Sequence, residues 1–215
     1  MHRDIYDDDH EAFRASVREF LERSVIPDVE KHQAAKGLPR EFWLEAGRNE
    51  LLGLEIPEEH GGSGAGDYRF NAVVAEELSK VTASLASCWG IHADICAPYL
   101  VELGTDEQKQ RWLPSIASGE TLLAIGMTEP SGGSDLAGLR TTAVRDGDQW
   151  VINGSKTFIT HGFSADLVIT AVRTSREKKA RGIPLFAIPA DAAGFSRGPK
   201  LDKVGQDESD TAELF

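Results

Sequence analysis

Three hydroxyl side chains, Thr128, Ser131 and Ser134, stand on one short stretch, Ile125-Gly-Met-Thr-Glu-Pro-Ser-Gly-Gly-Ser-Asp135. A short apolar run, Leu122 to Met127, leads into it as a strand. Pro130 holds Glu129 extended, and Gly132-Gly133 free the loop backbone for dihedrals that other residues avoid. Main-chain N–H groups and small hydroxyls are thereby presented close together. Such a surface suits a polar, planar or phosphorylated ligand. An ordinary strand-to-turn transition would have the same composition.

A second stretch, Asn153-Gly-Ser-Lys-Thr-Phe-Ile-Thr160, changes the balance. Together the two resemble the paired flavin-contacting segments of the acyl-CoA dehydrogenase family: Thr128-Glu-Pro130, then Gly133-Ser-Asp135, then Asn153-Gly-x-Lys156-x-Phe158-Ile-Thr160. The likeness covers essentially the whole chain. It takes in Ile56-Pro-Glu-Glu-His-Gly-Gly62 and, toward the end, Gly194-Phe195 and Lys203-Val-Gly205 ahead of a closing strand.

The resemblance implies an α+β fold. Residues 1–120 would form an all-α helical domain and residues 121–215 an antiparallel, barrel-like β-domain that ends within its last strand. The family's C-terminal helical bundle, which holds the catalytic glutamate, the adenine-side FAD contacts and much of a homotetramer interface, would lie beyond Phe215. The implied chemistry is FAD-dependent oxidation of an acyl-CoA to the trans-2-enoyl-CoA, as in fatty acid β-oxidation, with electrons leaving to an electron-transferring flavoprotein. As an isolated fragment the chain is expected to be inactive. The same fold also serves flavin monooxygenases and acyl-CoA oxidases, and a non-catalytic module binding flavin or CoA is a further alternative.

Residue by residue, the resemblance assigns Ile125, Gly126 and Met127 as a backbone edge for the flavin ring. Thr128 and Thr160 would donate hydrogen bonds, because donors at the pyrimidine edge and N5 favour the reduced flavin. Phe158, followed by Ile159, would lie against the isoalloxazine; a core aromatic in a strand is the alternative. Ser134 would contact the cofactor and the CoA moiety, or be a plain turn serine. Lys156 reads as structural, because nothing nearby argues for a depressed pKa, and Glu129 as locked into its motif. The chain departs from the family at Ser131, where glycine is frequent, and at His161, where asparagine is usual; His161 reads as a surface turn histidine. No residue of the chain is expected to be the catalytic base.

The net charge of −12 argues against a nucleic-acid surface, which needs a basic footprint. The densest basic run, Arg173 to Arg181, reads as a solvated loop. The start, Met1-His-Arg-Asp4, lacks a signal peptide's apolar core, and no apolar run approaches the length of a membrane span. Cys88 and Cys96 lie about 12 Å apart along one helix, too far for a disulfide, and suit a reducing compartment such as the cytoplasm. No His or Cys spacing suggests a metal.

Those residues must be positioned by the elements around them. Apolar residues at helical spacing predict helices over Asp7 to Lys36 (kinked or split in two at Pro27), Arg40 to Glu50, Asp67 to Thr82 and Ser84 to Leu103, the last closed by Gly104 as a left-handed cap. Thr105-Asp-Glu-Gln108 is a capping box that opens a fifth. In the fourth, Gly90, Ala93 and Ala97 are small, which permits close packing; in the family the corresponding helix walls the acyl-tail pocket. His92 reads as capped or half-exposed. The glycines of Gly61 to Gly66 form a mobile connector rather than a nucleotide loop, since the full strand–G-x-G-x-x-G–helix unit is missing. After Gly119 the period changes. Strands follow at Leu122 to Met127, Thr141 to Val144, Trp150 to Ile152, Thr157 to Thr160, Leu167 to Val172 and Pro184 to Ile188, with hairpin dipeptides at Asp146-Gly-Asp148 and Asn153-Gly154.

Overall fold

A computed structural model of the chain describes residues 4–175 and 182–215. The chain forms two compact units: Met1–Leu122 with Lys203–Ser209, and Leu123–Asp202 with Asp210–Phe215. The segment Lys203–Ser209 lies among the strands in sequence yet belongs to the helical unit. There Glu208 accepts a hydrogen bond from Gln33 Nε2 at 3.0 Å.

The helical unit comprises α1 (Asp8–Ser24), α2 (Val29–Ala35), α3 (Arg40–Arg48), α4 (Arg69–Val81), α5 (Ala83–Trp89), α6 (Ala97–Leu103) and α7 (Asp106–Ala117). Pro27 sits in a 3₁₀ turn between α1 and α2, so the expected break is there. Thr105 and Gln108 cap α7 reciprocally, side chain to backbone in both directions. The core gathers Val17, Phe20, Trp43, Leu52, Val73, Leu78, Leu85 and Trp89. Trp89 Nε1 donates to Leu51 O at 2.7 Å, which satisfies the buried indole.

Between α5 and α6 the helix widens into a π-helical segment, Gly90–Cys96, in which Ala97 N donates to His92 O. The cause follows on. Pro98 cannot donate to residue 94, and its ring crowds that carbonyl, so the ladder ahead of it shifts its spacing. Three expectations for this unit change. Gly104 is extended, not left-handed, and is glycine because a Cβ there would meet Leu100 O at 2.5 Å. His92 is fully buried and bonds Ile116 O through Nε2 at 3.2 Å. The Gly61–Gly66 connector is tied down, with Ser63 N donating to Gly53 O at 3.0 Å and Ala65 N to Leu54 O at 2.8 Å.

The second unit holds β1 (Leu123–Gly126), β2 (Thr142–Asp146), β3 (Gln149–Asn153), β4 (Lys156–Ile159), β5 (Leu167–Ala171), β6 (Leu185–Pro189) and β7 (Ala212–Leu214). They form three small sheets, β1-β5-β6, β2-β3 and β4-β7. All five residues of β5 are buried between its two neighbours, which explains why all but Thr170 are apolar. Pairing is not antiparallel throughout: β1 runs parallel to β5, Leu123 opposite Leu167. A parallel pair needs a long crossover, and the chain from Met127 to Asp166 supplies it.

The β2–β3 hairpin turns at Gly147 as its sequence predicts, with φ 59°. Asn153-Gly154 is not a hairpin turn, because β4 pairs with β7 instead of β3. Gly154 is required for a different reason: a Cβ there would lie 2.3 Å from Thr141 Oγ1. Of the basic run, Arg176 to Arg181 lies outside the described residues. Arg173 itself is buried and donates to the carbonyls of Leu139 and Ala137, so it anchors a loop rather than facing solvent.

Candidate functional site

The two motif stretches lie side by side in the β-unit. Thr157 N donates to Thr128 O at 2.9 Å, Lys156 Nζ to Met127 O at 3.1 Å, and His161 Nδ1 bonds Leu123 O at 2.9 Å. Residues 123–128 and 156–161 are thus tied together at both ends. Gly126 is buried where a Cβ would come within 3.2 Å of Thr170 Oγ1 and 3.4 Å of Lys156 Cγ. A side chain there would push the Thr170 and Lys156 side chains aside by a few tenths of an ångström.

Glu129-Pro-Ser-Gly132 forms a tight turn, with Glu129 N donating to Gly132 O at 2.9 Å and Gly132 N to Glu129 O at 3.0 Å. Neither Gly132 nor Gly133 has a positive φ, so the expected unusual dihedrals are not what these glycines supply. Gly133 instead packs on Thr128, its ideal Cβ 3.4 Å from Thr128 Cγ2. Ser134, the next residue, is exposed.

Phe158 is the outlier of the unit. It is 69 % exposed, and its φ of 59° is left-handed, at a register shift between β4 and β7. An aromatic residue in that region is strained by about 1–2 kcal/mol, and such strain clusters at functional sites. The exposure excludes the core-aromatic alternative. Ile159 is buried among Ala124, Ala165, Val168 and Leu214, so only its backbone can reach a ligand. Thr128 and Thr160 are half-buried, and among the described residues neither hydroxyl has a hydrogen-bond partner. Ile125 and Met127 are also half-buried. The edge therefore offers an exposed aromatic face flanked by two uncommitted hydroxyls, which suits a planar polar ligand.

Beneath that edge lies charge. Glu129 and Lys156 are 4 % and 3 % exposed, and Oε1 and Nζ stand 3.0 Å apart. Burial pushes the Glu129 carboxyl up, but hydrogen bonds from Thr141, Arg140 and Lys156 outweigh it and hold the group at about 2. Burial pushes the Lys156 ammonium down, and Glu129 restores it only in part. Contrary to expectation, the surroundings of Lys156 do depress it. Two backbone donors, Arg140 N and Thr141 N, fix the carboxylate in place beside Lys156. Sequence reasoning missed this pairing and the Arg173 anchor; the signal available was charge placed within or beside apolar strands. His161 is 2 % exposed with φ 61°, a buried tie to β1 instead of a surface turn residue.

The acid response follows with a definite sign. The Glu129 value is depressed from an ordinary 4.5, so its contribution is fully present above about pH 4.5 and lost as pH falls toward 2. Glu77 behaves alike. Burial pushes it up, but Arg18, Lys80 and Arg14 hold it at about 2, with Arg14 Nη1 2.8 Å away. For Glu129 the loss is on the order of 3 kcal/mol. Thermal unfolding followed across pH 7 to 2 should show its steepest fall below 4.5; a flat midpoint through that window would contradict the assignment.

A cleft of about 490 Å³ in the same unit is lined by Trp150, Phe186, Phe195 and Phe215, and reaches Lys156 and Thr141 of the buried pair's surroundings. It contains none of Ile125–Thr128, Ser134 or Phe158–Thr160, and the donor-rich edge is the better candidate site. Among the described residues no cluster of His, Cys, Asp or Glu could hold a metal, and no helix is long and apolar enough to cross a membrane.

Comparison with known proteins agrees with the motifs. Residues 7–120 match the family model for the acyl-CoA dehydrogenase N-terminal domain, and residues 124–215 that for the middle domain. The rat protein named long-chain specific acyl-CoA dehydrogenase, mitochondrial, is 44 % identical over 99 % of this chain and 50 % of its own length. The crystal structure of an acyl-CoA dehydrogenase from Geobacillus kaustophilus superposes with a TM-score of 0.96 at 45 % identity, over 100 % of this chain and 56 % of that one. An acyl-CoA dehydrogenase from Bacillus anthracis, solved in complex with FAD, superposes with a TM-score of 0.89 at 31 % identity, over 100 % of this chain and 36 % of that one. The chain spans about half the length of the curated relatives it matches. Helical residues, strands, motif spacing and both family models converge: the chain belongs to the acyl-CoA dehydrogenase family and carries its N-terminal and middle domains.

Proposed function

We propose that this chain, as domains 1–120 and 121–215, is part of an FAD-dependent acyl-CoA dehydrogenase that forms a trans-2-enoyl-CoA from an acyl-CoA. One observation carries the reading: strained, exposed Phe158 stands in one segment with Thr160, and Thr128, the other uncommitted hydroxyl, stands in the segment beside it. A flavin fits that edge by chemistry, since its ring has an apolar face and a rim of hydrogen-bond acceptors. Phe158 would cover the ring, and Thr128 and Thr160 would donate to its rim. The backbone of Ile125 to Met127 and of Ile159 would border it, and Ser134 would reach the cofactor and the CoA moiety. FAD, when bound, supplies a two-electron acceptor at this edge.

The electron acceptor we propose is an electron-transferring flavoprotein, and the assembly a homotetramer, both on family membership. The two buried thiols, neither in a disulfide, suit a reducing compartment, which we take to be the cytoplasm; the rat relative's name points to the mitochondrion. The test is anaerobic mixing of the native-length polypeptide, loaded with FAD, with long- and short-chain acyl-CoAs. Loss of flavin absorbance with formation of the enoyl-CoA is expected. No change with any acyl-CoA would contradict the dehydrogenase reading, and rapid reoxidation in air would move it to an oxidase or monooxygenase.

A further inference from the structure

One buried ion pair joins three pieces of backbone. Lys156 Nζ donates to Glu129 Oε1 at 3.0 Å and to Met127 O at 3.1 Å. The Glu129 carboxylate also accepts from Arg140 N at 2.7 Å and Thr141 N at 2.9 Å. Met127 O and the Thr128 N–H belong to the same planar, trans peptide, so they point in opposite directions. Pulling Met127 O toward Lys156 therefore aims the Thr128 N–H away from the buried pair. The following peptide is fixed from both ends, Thr128 O by Thr157 N at 2.9 Å and Glu129 N by Gly132 O at 2.9 Å. Every peptide around Thr128 is thus held, and its hydroxyl is left uncommitted.

A buried pair is a weak source of stability, because apolar replacement of both partners is often neutral or better. Its orienting effect is specific. We propose that Lys156, acting through Glu129 and the Met127 carbonyl, is a positioning residue that sets the Thr128 peptide to donate to the flavin. The inference rests on the flavin reading above.

The experiment compares the native-length polypeptide with the double variant Glu129→Gln/Lys156→Met, in which no charge is left unpaired. Thermal unfolding, the FAD dissociation constant from flavin fluorescence quenching, and the midpoint potential of the bound flavin are measured on both. The double variant should unfold cooperatively but bind FAD about tenfold more weakly, the loss of one charge-assisted hydrogen bond's orientation, and hold it at a lower potential. Unchanged affinity and potential in a folded variant would overturn the proposal and leave the pair purely structural. Should the Met variant not fold, Glu129→Gln/Lys156→Gln is read on the same scale. Failure of the unaltered protein to bind FAD overturns the flavin reading and this inference together; normal binding by both proteins overturns this inference alone.

Discussion

Replacing Glu129 by alanine is expected to cost on the order of 3–5 kcal/mol at neutral pH. The carboxylate is 4 % exposed and accepts from Lys156 and from two backbone amides that are themselves at the loop base. Removing it leaves an ammonium in a buried site and two N–H groups without their acceptor, each a desolvation penalty with nothing returned. Glu129→Ala with Lys156→Met should recover part of the loss, because the stranded charge is then gone. Urea denaturation at pH 7 checks this. A single-variant loss below about 1 kcal/mol would mean that water reaches the site and the pair carries little.

Phe158→Gly should behave in the opposite way. The native φ of 59° is one that glycine adopts without strain, and a side chain 69 % exposed leaves no cavity behind. Stability should stay level or rise by about 1 kcal/mol once the strain is relieved. FAD affinity should fall about tenfold or more, since stacking and burial against one aromatic face are worth about 1–3 kcal/mol. Calorimetry and flavin titration on the same preparation separate the two effects. A destabilised variant with undiminished affinity would show that Phe158 serves the fold and not a ligand.

Much of the architecture was legible because single residues enforce it locally. Pro27 breaks the first helix, Thr105 and Gln108 cap α7, and Gly147 turns the β2–β3 hairpin, each through a contact only a few residues long. What was not legible depends on distant partners. Gly104 and Gly154 look like turn glycines, yet each is small because a remote or neighbouring atom occupies the place of its Cβ. Nothing in Asn153-Gly154 announces that β4 will pair with β7, far along the chain, or that β1 will run parallel to β5. His92 and His161 read as ordinary polar residues, and burial by elements far along the chain made both into ties to backbone carbonyls.

The candidate site divides along the same line. The motifs gave Thr128, Ser134, Phe158 and Thr160 by type and spacing. That Phe158 is left-handed and exposed, and that Lys156 reaches back to Met127 O, are consequences of packing. Ile159 shares the motif, but its side chain packs into the core.

The central claim is that the Thr128–Phe158–Thr160 edge holds the flavin ring. It is tested most directly by titrating FAD into the native-length polypeptide and into its Thr128→Val/Thr160→Val variant. Valine keeps each side chain's shape and removes only the hydroxyl donor. Saturable quenching of flavin fluorescence by the unaltered protein, with affinity about tenfold weaker in the variant at unchanged unfolding temperature, is the predicted result. Absent quenching would contradict it, and equal affinity in the two proteins would contradict donation by the two hydroxyls.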